Sequence, residues 1–367
     1  MEQWYNPNFA EEQFLLSEEK KQIRKASNRC GIVMIILLAS LYILSFGIGI
    51  VGALLWRFLP NDFTSMFSFA DIANLILNLV FYVVISPLLM LYCNMRSGTK
   101  LSEYLRFPAM PAKSVWKLIL MGIGVVGASS QAGGWVYQGI NNILRLTLGI
   151  EMRSPDVTVD RNLISVVLLI VSTAIFAPIF EELLARCGLL GTLKAHGGVF
   201  ASIATGIMFG FMHTNFQQVF FATAMGIYAG FMVYRTRSIW PAIILHFSIN
   251  MISVLQVIAL SFTDISEETL DILTLMEMEP QQLLIQIGLL GVVSLLSLLL
   301  MVLGIIGLVY LIKEIIRYPH EFTLPQEQKR VALRTRDKCR IFLTSPGIII
   351  FLSLSIFLSF LNAFVLG

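Results

Sequence analysis

The sequence predicts an all-α membrane protein, a polytopic bundle of about nine transmembrane helices. Of its 367 residues, 56% are hydrophobic and only 13% are charged, and the mean hydropathy is +0.78. This composition lies well outside the usual balance of a soluble globular domain. Apolar runs of roughly 20 residues, the length that crosses a hydrocarbon layer of about 30 Å, recur along most of the chain.

Nine apolar runs account for these predicted helices, and the fifth and sixth are the shortest, separated only by the polar stretch TNFQQ (214–218) at their boundary. The first run follows a tail of mixed charge and is long enough to span a membrane. We therefore expect it to remain as a helix and not to be cleaved as a signal peptide. The predicted spans cover residues 31–56, 72–93, 116–143, 162–187, 199–215, 217–234, 239–261, 283–312 and 346–366.

The basic residues predict the topology. Twenty-two of the 26 Lys and Arg residues fall on alternate connections, beginning with the N-terminal tail. Because short cytoplasmic loops carry an excess of Lys and Arg, the N-terminus is predicted to be cytoplasmic, and nine spans place the C-terminus outside. The resulting segments are a cytoplasmic tail (1–30), N-terminal helices (31–150), a central core (160–262), an acidic outer loop (263–282) and C-terminal helices (283–367) that include a basic cytoplasmic loop (313–345).

The net charge of +3 does not indicate a nucleic-acid partner. The basic residues follow the predicted topology and lack the interleaved aromatic residues on which bases stack. The partner that the composition predicts is the lipid bilayer.

One stretch, IFEELLARCGLL, is unusual because it places Glu181, Glu182 and Arg186 in an apolar run. Each such group costs roughly 2.5–3.5 kcal/mol at mid-bilayer on insertion scales, so the three require pairing, water or a use. Glu182 and Arg186 have the i, i+4 spacing of an ion pair on one helix face. This spacing predicts that Arg186 neutralises Glu182 and leaves Glu181 free, unless all three simply reach the headgroups at the end of the span.

Two further predicted spans carry polar residues. MFGFMHTN places His213 in the fifth span with Phe209 one turn earlier, and LHFSIN places His246 and Asn250 one turn apart in the seventh. At 1.5 Å per residue these groups and Glu181 fall in the interior of the layer. They are predicted to meet at one buried polar site that opens to the cytoplasm.

The residue types at this predicted site are those of amide hydrolysis. A buried carboxylate can take a proton from water, and a neighbouring histidine can share or pass it. A second histidine and an asparagine are suitable donors to the oxyanion of a tetrahedral intermediate. There is no HExxH motif of the zinc metalloproteases in the sequence. We therefore expect intramembrane proteolysis. A scaffold, an immunity partner or a proton-coupled carrier remains the alternative.

The three motifs, EELLAR, FGFMH and HFSIN, match EExxxR, FxxxH and HxxxN in that order. In this the chain resembles the CAAX protease and bacteriocin-processing family, glutamate intramembrane proteases that include the Ras-converting CAAX endopeptidase. The resemblance implies that Glu181 and His213 activate water, that His246 and Asn250 form the oxyanion hole, and that Glu182 and Arg186 support the site.

The resemblance also implies the expected partners and location. The substrate would be a membrane-associated or lipidated peptide or protein, in eukaryotic members a prenylated CaaX tail, and bacterial relatives include bacteriocin-immunity proteins. We expect no cofactor, although Glu181, His213 and His246 could also bind Zn²⁺. The expected location is the plasma membrane of a bacterium, crossed several times.

Overall fold

The computed structural model of the protein is an all-α bundle. Within the described residues, eight helices are long and apolar enough to cross a membrane, and a further apolar helix is shorter. The predicted fold class is therefore confirmed. The structure describes residues 7–60, 64, 68–152, 159–263, 278–318 and 333–364. The helices are α1 (Pro7–Trp56), α2 (Phe69–Ser97), α3 (Ala112–Leu148), α4 (Leu163–His196), α5 (Gly198–Phe211), α6 (Phe216–Thr236), α7 (Trp240–Ser261), α8 (Pro280–Arg317), α9 (Thr335–Leu343) and α10 (Pro346–Phe364).

Helix α1 begins long before the predicted first span. The predicted tail is helical from Pro7 onward and continues into the span without a break. Its residues are mostly good helix formers such as Glu, Lys, Gln and Leu, with no Gly and no Pro after Pro7 until the span itself. One face of this part is buried, including Ile23, Ala26 and Cys30. The tail is thus packed against the bundle.

Helices α5 and α6 form a closely packed antiparallel hairpin. A Cβ at Gly226 would lie 2.8 Å from the Cα of Gly206, and one at Gly230 would lie 3.0 Å from the Cα of Ser202. Small residues on the two helices therefore face each other and allow the backbones to approach closely. The hairpin lies at the centre of the bundle, packed against α3, α4, α7 and α9.

The fifth span is shorter than the predicted 199–215, because α5 has 14 residues and ends at Phe211. At 1.5 Å per residue it is about 21 Å long, less than a hydrocarbon layer of about 30 Å. Residues from other helices satisfy the backbone at this end. The side chain of Asn362 donates to the Thr214 carbonyl at 2.9 Å, and the Ser355 hydroxyl donates to the Phe211 carbonyl.

Two predicted loops lie largely outside the described residues. Residues 264–277 of the acidic outer loop and 319–332 of the basic loop are not described. The rest of the basic loop contains helix α9, in which Lys338 is 3.1 Å from the Glu19 carboxylate of α1 and donates to the His196 carbonyl. This lysine joins three segments of the bundle.

We expect Gly210→Ala to destabilise the protein. A Cβ at this position would lie 2.8 Å from the Val219 carbonyl oxygen and would also meet the Thr223 hydroxyl. Overpacking of this kind costs about 1–3 kcal/mol. In detergent, the thermal unfolding midpoint should fall by several degrees. Gly134→Ala is the control, because a Cβ at Gly134 meets nothing within 4 Å. Equal midpoints for the two variants would contradict the packing described for the hairpin.

Candidate active site

The backbone of α4 is irregular where it carries the two glutamates. Residues Ile170–Phe176 and Leu183–Leu190 are π-helical, and the α-helical turn Ala177–Glu182 lies between them. Pro178 is near the start of this turn, and proline removes a backbone donor and crowds the preceding turn. Widened turns of this kind occur frequently at functional sites.

Asn250 of α7 bonds to a carbonyl that this irregularity leaves free. The N–H of Ala177 bonds to the Ser172 carbonyl and not to that of Thr173, and Pro178 has no N–H. The Asn250 side-chain amide donates to the Thr173 carbonyl at 2.8 Å. An unpaired carbonyl in an apolar interior is costly, so this bond stabilises the break in α4.

Glu182 and Arg186 form a fully buried ion pair. The Nε atom of Arg186 lies 2.7 Å from Oε2 of Glu182, and both side chains are 0% exposed. Arg186 also donates through Nη1 to the Gly226 carbonyl at 2.8 Å. The pair with the predicted i, i+4 spacing therefore also joins α4 to α6.

His246 lies between the two glutamates. Its Nδ1 is 3.3 Å from Oε1 of Glu182, and its Nε2 is 4.0 Å from Oε2 of Glu181. Because the carboxylate of Glu182 is already paired with Arg186 and can only accept, Nδ1 is the donor in the first contact. Glu182 thereby fixes the ring so that Nε2 faces Glu181.

Glu181 is bonded through one oxygen only. Tyr82 of α2 donates its hydroxyl to Oε1 at 3.1 Å. Oε2 is buried and has no hydrogen-bond partner among the described residues. The glutamate that spacing predicted to be free of Arg186 thus keeps an uncommitted oxygen next to His246.

Phe209 holds the two histidines and the arginine in place. Its ring makes edge contacts with His213, at a centroid distance of 5.4 Å, and with His246, at 5.6 Å. The guanidinium carbon of Arg186 lies 5.5 Å from the ring centroid. His213 itself follows the end of α5, in a turn, and does not lie within a continuous span as predicted.

Glu181, His213 and Tyr82 line one cavity of about 170 Å³, which also touches α1. The structure therefore brings Glu181, His213 and His246 together. Asn250 is one turn along α7 from His246 and has one amide proton engaged by Thr173. Its predicted role in an oxyanion hole stays a prediction that depends on its second amide proton.

Comparison with known proteins finds a family that this segment resembles. Residues 163–252 match the family model described as type II CAAX prenyl endopeptidase Rce1-like. Over this segment the chain is similar to the Rce1-like CAAX protease family. The match includes every residue of the three motifs and excludes Tyr82.

The chain is also similar to a Bacillus subtilis (strain 168) protein named "Putative membrane peptidase YdiL". It is 31% identical over 122 residues, which are 32% of this chain and 50% of the relative. The chain thus spans about half the length of this relative. No solved structure matches the chain. The apolar helices and the Rce1-like match together identify a multi-pass membrane protein.

The sequence did not decide whether Glu181, His213 and His246 bind Zn²⁺. Among the described residues, no group of three or more His, Cys, Asp or Glu side chains is arranged to hold a metal ion. The three side chains do not form a ligand set in this geometry.

Sequence reasoning missed Tyr82. No spacing rule connects residue 82 with residue 181, and the tyrosine lies outside the Rce1-like motifs. The available indication was a polar-tipped residue in the middle of an apolar run, close to Pro87. The run from Leu79 to Ile85 is π-helical, as is the segment before Pro178.

We expect Arg186→Met to destabilise the protein strongly, because it leaves the Glu182 carboxylate buried without its guanidinium. Removing one partner of a buried pair costs about 3–5 kcal/mol. The double variant Glu182→Gln/Arg186→Met should recover most of the folded fraction, measured by monodisperse yield and thermal unfolding in detergent. A single variant as stable as wild type would show that the pair has no structural role.

Proposed function

We propose that the protein is an intramembrane endopeptidase that hydrolyses a peptide bond of a membrane-associated or lipidated substrate. The observation that carries the proposal is the uncommitted Oε2 of Glu181, buried beside Nε2 of His246 on a cavity that His213 also lines. The Rce1-like match over the same residues supports it independently.

The site is suited to holding one mobile proton. Two carboxylates, Glu181 and Glu182, and one guanidinium, Arg186, leave a net negative charge in a buried cluster. One proton on Glu181 or His246 makes the cluster neutral, which burial favours. With that proton on the facing Nε2 of His246, Glu181 would be left as a carboxylate that can accept another proton.

The cavity has room for the nucleophile. Its volume of about 170 Å³ can hold several waters, each of which occupies about 30 Å³ in the liquid. A water between Glu181 and His213 would attack the peptide carbonyl carbon and give its proton to Glu181. That proton then passes to the leaving amine as the C–N bond breaks.

His246 and Asn250 supply the proposed stabilisation of the oxyanion. A protonated Nε2 of His246 would donate to the developing negative charge, and the second amide proton of Asn250 is a further donor. Glu182 and Thr173 orient these two side chains from behind. Donors fixed before the reaction stabilise the transition state without reorganisation.

The first substrate to test follows from the matching family. The matching family is described as CAAX prenyl endopeptidases, so a farnesylated peptide ending in CaaX is the first substrate to test. The same peptide without its lipid tests whether a lipid is required. A scaffold or a proton-coupled carrier would cleave neither peptide.

Glu181→Gln should abolish hydrolysis by the full-length protein in liposomes. Glutamine cannot accept the proton of the attacking water. It has nearly the same shape as glutamate and can still accept the hydrogen bond of Tyr82, so the fold should be preserved. Both peptides are incubated in water enriched in oxygen-18, and mass spectrometry detects the heavy oxygen in each newly formed carboxyl group.

The same assay with and without a metal chelator measures metal dependence, and we expect no effect of the chelator on hydrolysis.

Glu103→Gln is the matched control for Glu181→Gln. Glu103 is a half-exposed carboxylate bonded to Lys194 at 3.0 Å, away from the cavity. If neither peptide is cleaved, new C-termini are compared between membranes of cells that carry the wild type and those with Glu181→Gln. Folded Glu181→Gln protein with wild-type turnover, or identical sets of C-termini, would refute the proposal.

Tyr82→Phe should lower kcat about tenfold or more and change KM little. The variant removes a hydrogen bond to a charged acceptor, an interaction of about 1.5–3 kcal/mol, and lets Glu181 leave its orientation. Tyr137→Phe is the control, because that buried hydroxyl donates to the Met152 carbonyl at 3.3 Å and does not line the cavity of Glu181. A rise in KM with kcat unchanged would show that Tyr82 contributes to substrate binding and does not position Glu181.

A further inference from the structure

A second concave site lies far from the motifs, between α1 and the C-terminal end of α2. Its volume is about 690 Å³. Among the described residues, six cationic side chains line it and no Asp or Glu does: Lys20, Lys21, Arg24, Lys25, Arg29 and Arg96. We call these six residues and the space between them the basic cavity.

The five cations on α1 share one face of the helix. Lys21, Lys25 and Arg29 are four residues apart, as are Lys20 and Arg24, so successive turns present them to the same side. The opposite face is buried in the bundle. If these basic residues served only to orient the helices in the membrane, they would not need to share one helix face or to line a cavity.

The acids near the basic cavity in the described part of the chain leave most of its positive charge unneutralised. Glu19 points to the opposite face, where it lies 3.1 Å from Lys338 and accepts from the Leu333 N–H. Glu18 lies 3.5 Å from Lys21 but does not line the cavity. Six cations close together repel one another unless an anion is present.

One cation is fixed in place by the backbone. Arg29 donates through Nη1 to the Arg96 carbonyl at 3.0 Å, in the last turn of α2. The C-terminal end of a helix attracts cations, so this bond holds the two helices together at the cavity. Arg96 in turn lies 5.7 Å from the centroid of the Tyr92 ring.

Apolar surface begins directly beside the charges. Ile32, which is 50% exposed, and Tyr92, which is 41% exposed, line the cavity on the side toward the apolar parts of α1 and α2. Ile32 is eight residues beyond Arg24, a rise of about 12 Å along the helix. A ligand with an anionic head and an apolar tail matches this order of charge followed by exposed hydrocarbon.

We propose that the basic cavity binds an anionic phospholipid of the leaflet in which the N-terminus lies. The phosphate would contact Arg24, Lys25 and Arg29, and the acyl chains would lie along Ile32 and Tyr92. Juxtamembrane clusters of Lys and Arg attract anionic lipids by roughly 1 kcal/mol per residue. This proposal is independent of the proposed peptidase activity.

The test uses the full chain in phosphatidylcholine nanodiscs with or without phosphatidylglycerol, and native mass spectrometry counts the lipids that stay bound. We expect retained phosphatidylglycerol with the wild type, and a loss of about tenfold or more with Lys21→Gln/Arg24→Gln/Lys25→Gln. The single variant Arg24→Gln should show a smaller loss. Thermal unfolding measured on the same samples confirms that the variants are folded.

The control carries the same charge change elsewhere. Lys100→Gln/Arg106→Gln/Lys113→Gln removes two cations from the connection between α2 and α3 and one from the first turn of α3. All three are predicted to lie on the same side of the membrane as the N-terminus. This triple variant should retain phosphatidylglycerol as the wild type does. Equal losses in both triple variants would overturn the proposal, because attraction would then depend on net charge and not on the cavity.

The source of the phosphate is tested by competition. Inorganic phosphate and glycerol phosphate carry the same anionic group without acyl chains, so they should not displace phosphatidylglycerol at equal concentration. Displacement by either would show that the cavity selects a soluble phosphate, and the lipid proposal would be wrong. Equal retention of phosphatidylcholine and phosphatidylglycerol would have the same consequence.

Discussion

The arrangement of the candidate site depends on one buried ion pair, Glu182 with Arg186. Burying two charges is costly unless their geometry is good and their other donors and acceptors are used. Here Arg186 reaches the Gly226 carbonyl of α6, and Glu182 accepts from His246 of α7. The pair therefore ties three helices together and fixes the ring that faces Glu181. Because Arg186 is paired with Glu182, the Oε2 atom of Glu181 remains without a partner among the described residues.

The break in α4 is the second constraint, and it changes how Asn250 is understood. Pro178 and the π-helical turns leave the Thr173 carbonyl free, and Asn250 occupies it. The asparagine is thus required by the backbone of α4 whether or not it touches a substrate. Both demands can be met by one side chain, since the amide nitrogen carries two protons. The structural demand alone explains why an amide serves here where a hydrophobic residue would not.

The sequence predicted the parts of this arrangement that obey simple spacing. Apolar run length located the helices, because the bilayer fixes the number of residues needed, and the i, i+4 rule paired Glu182 with Arg186. The end of α5 at Phe211 could not be predicted, since the apolar composition continues to Met212 and the turn depends on Thr214 at a φ of 47°. The contact of Tyr82 with Glu181 joins residues 99 apart, which no local pattern encodes.

Residues 163–252, which match the family model, do not form the whole candidate site by themselves. Because α5 ends about 21 Å from its start, its last polar backbone groups lie within the bundle and need partners there. Asn362 and Ser355 of α10 supply them, with Tyr42 of α1 bonded to Thr214 at 3.2 Å. His213 directly precedes Thr214, so helices outside residues 163–252 hold the turn that places this histidine on the cavity. Helices α1 and α10 thereby help to position a residue of the candidate site without carrying any of the three motifs.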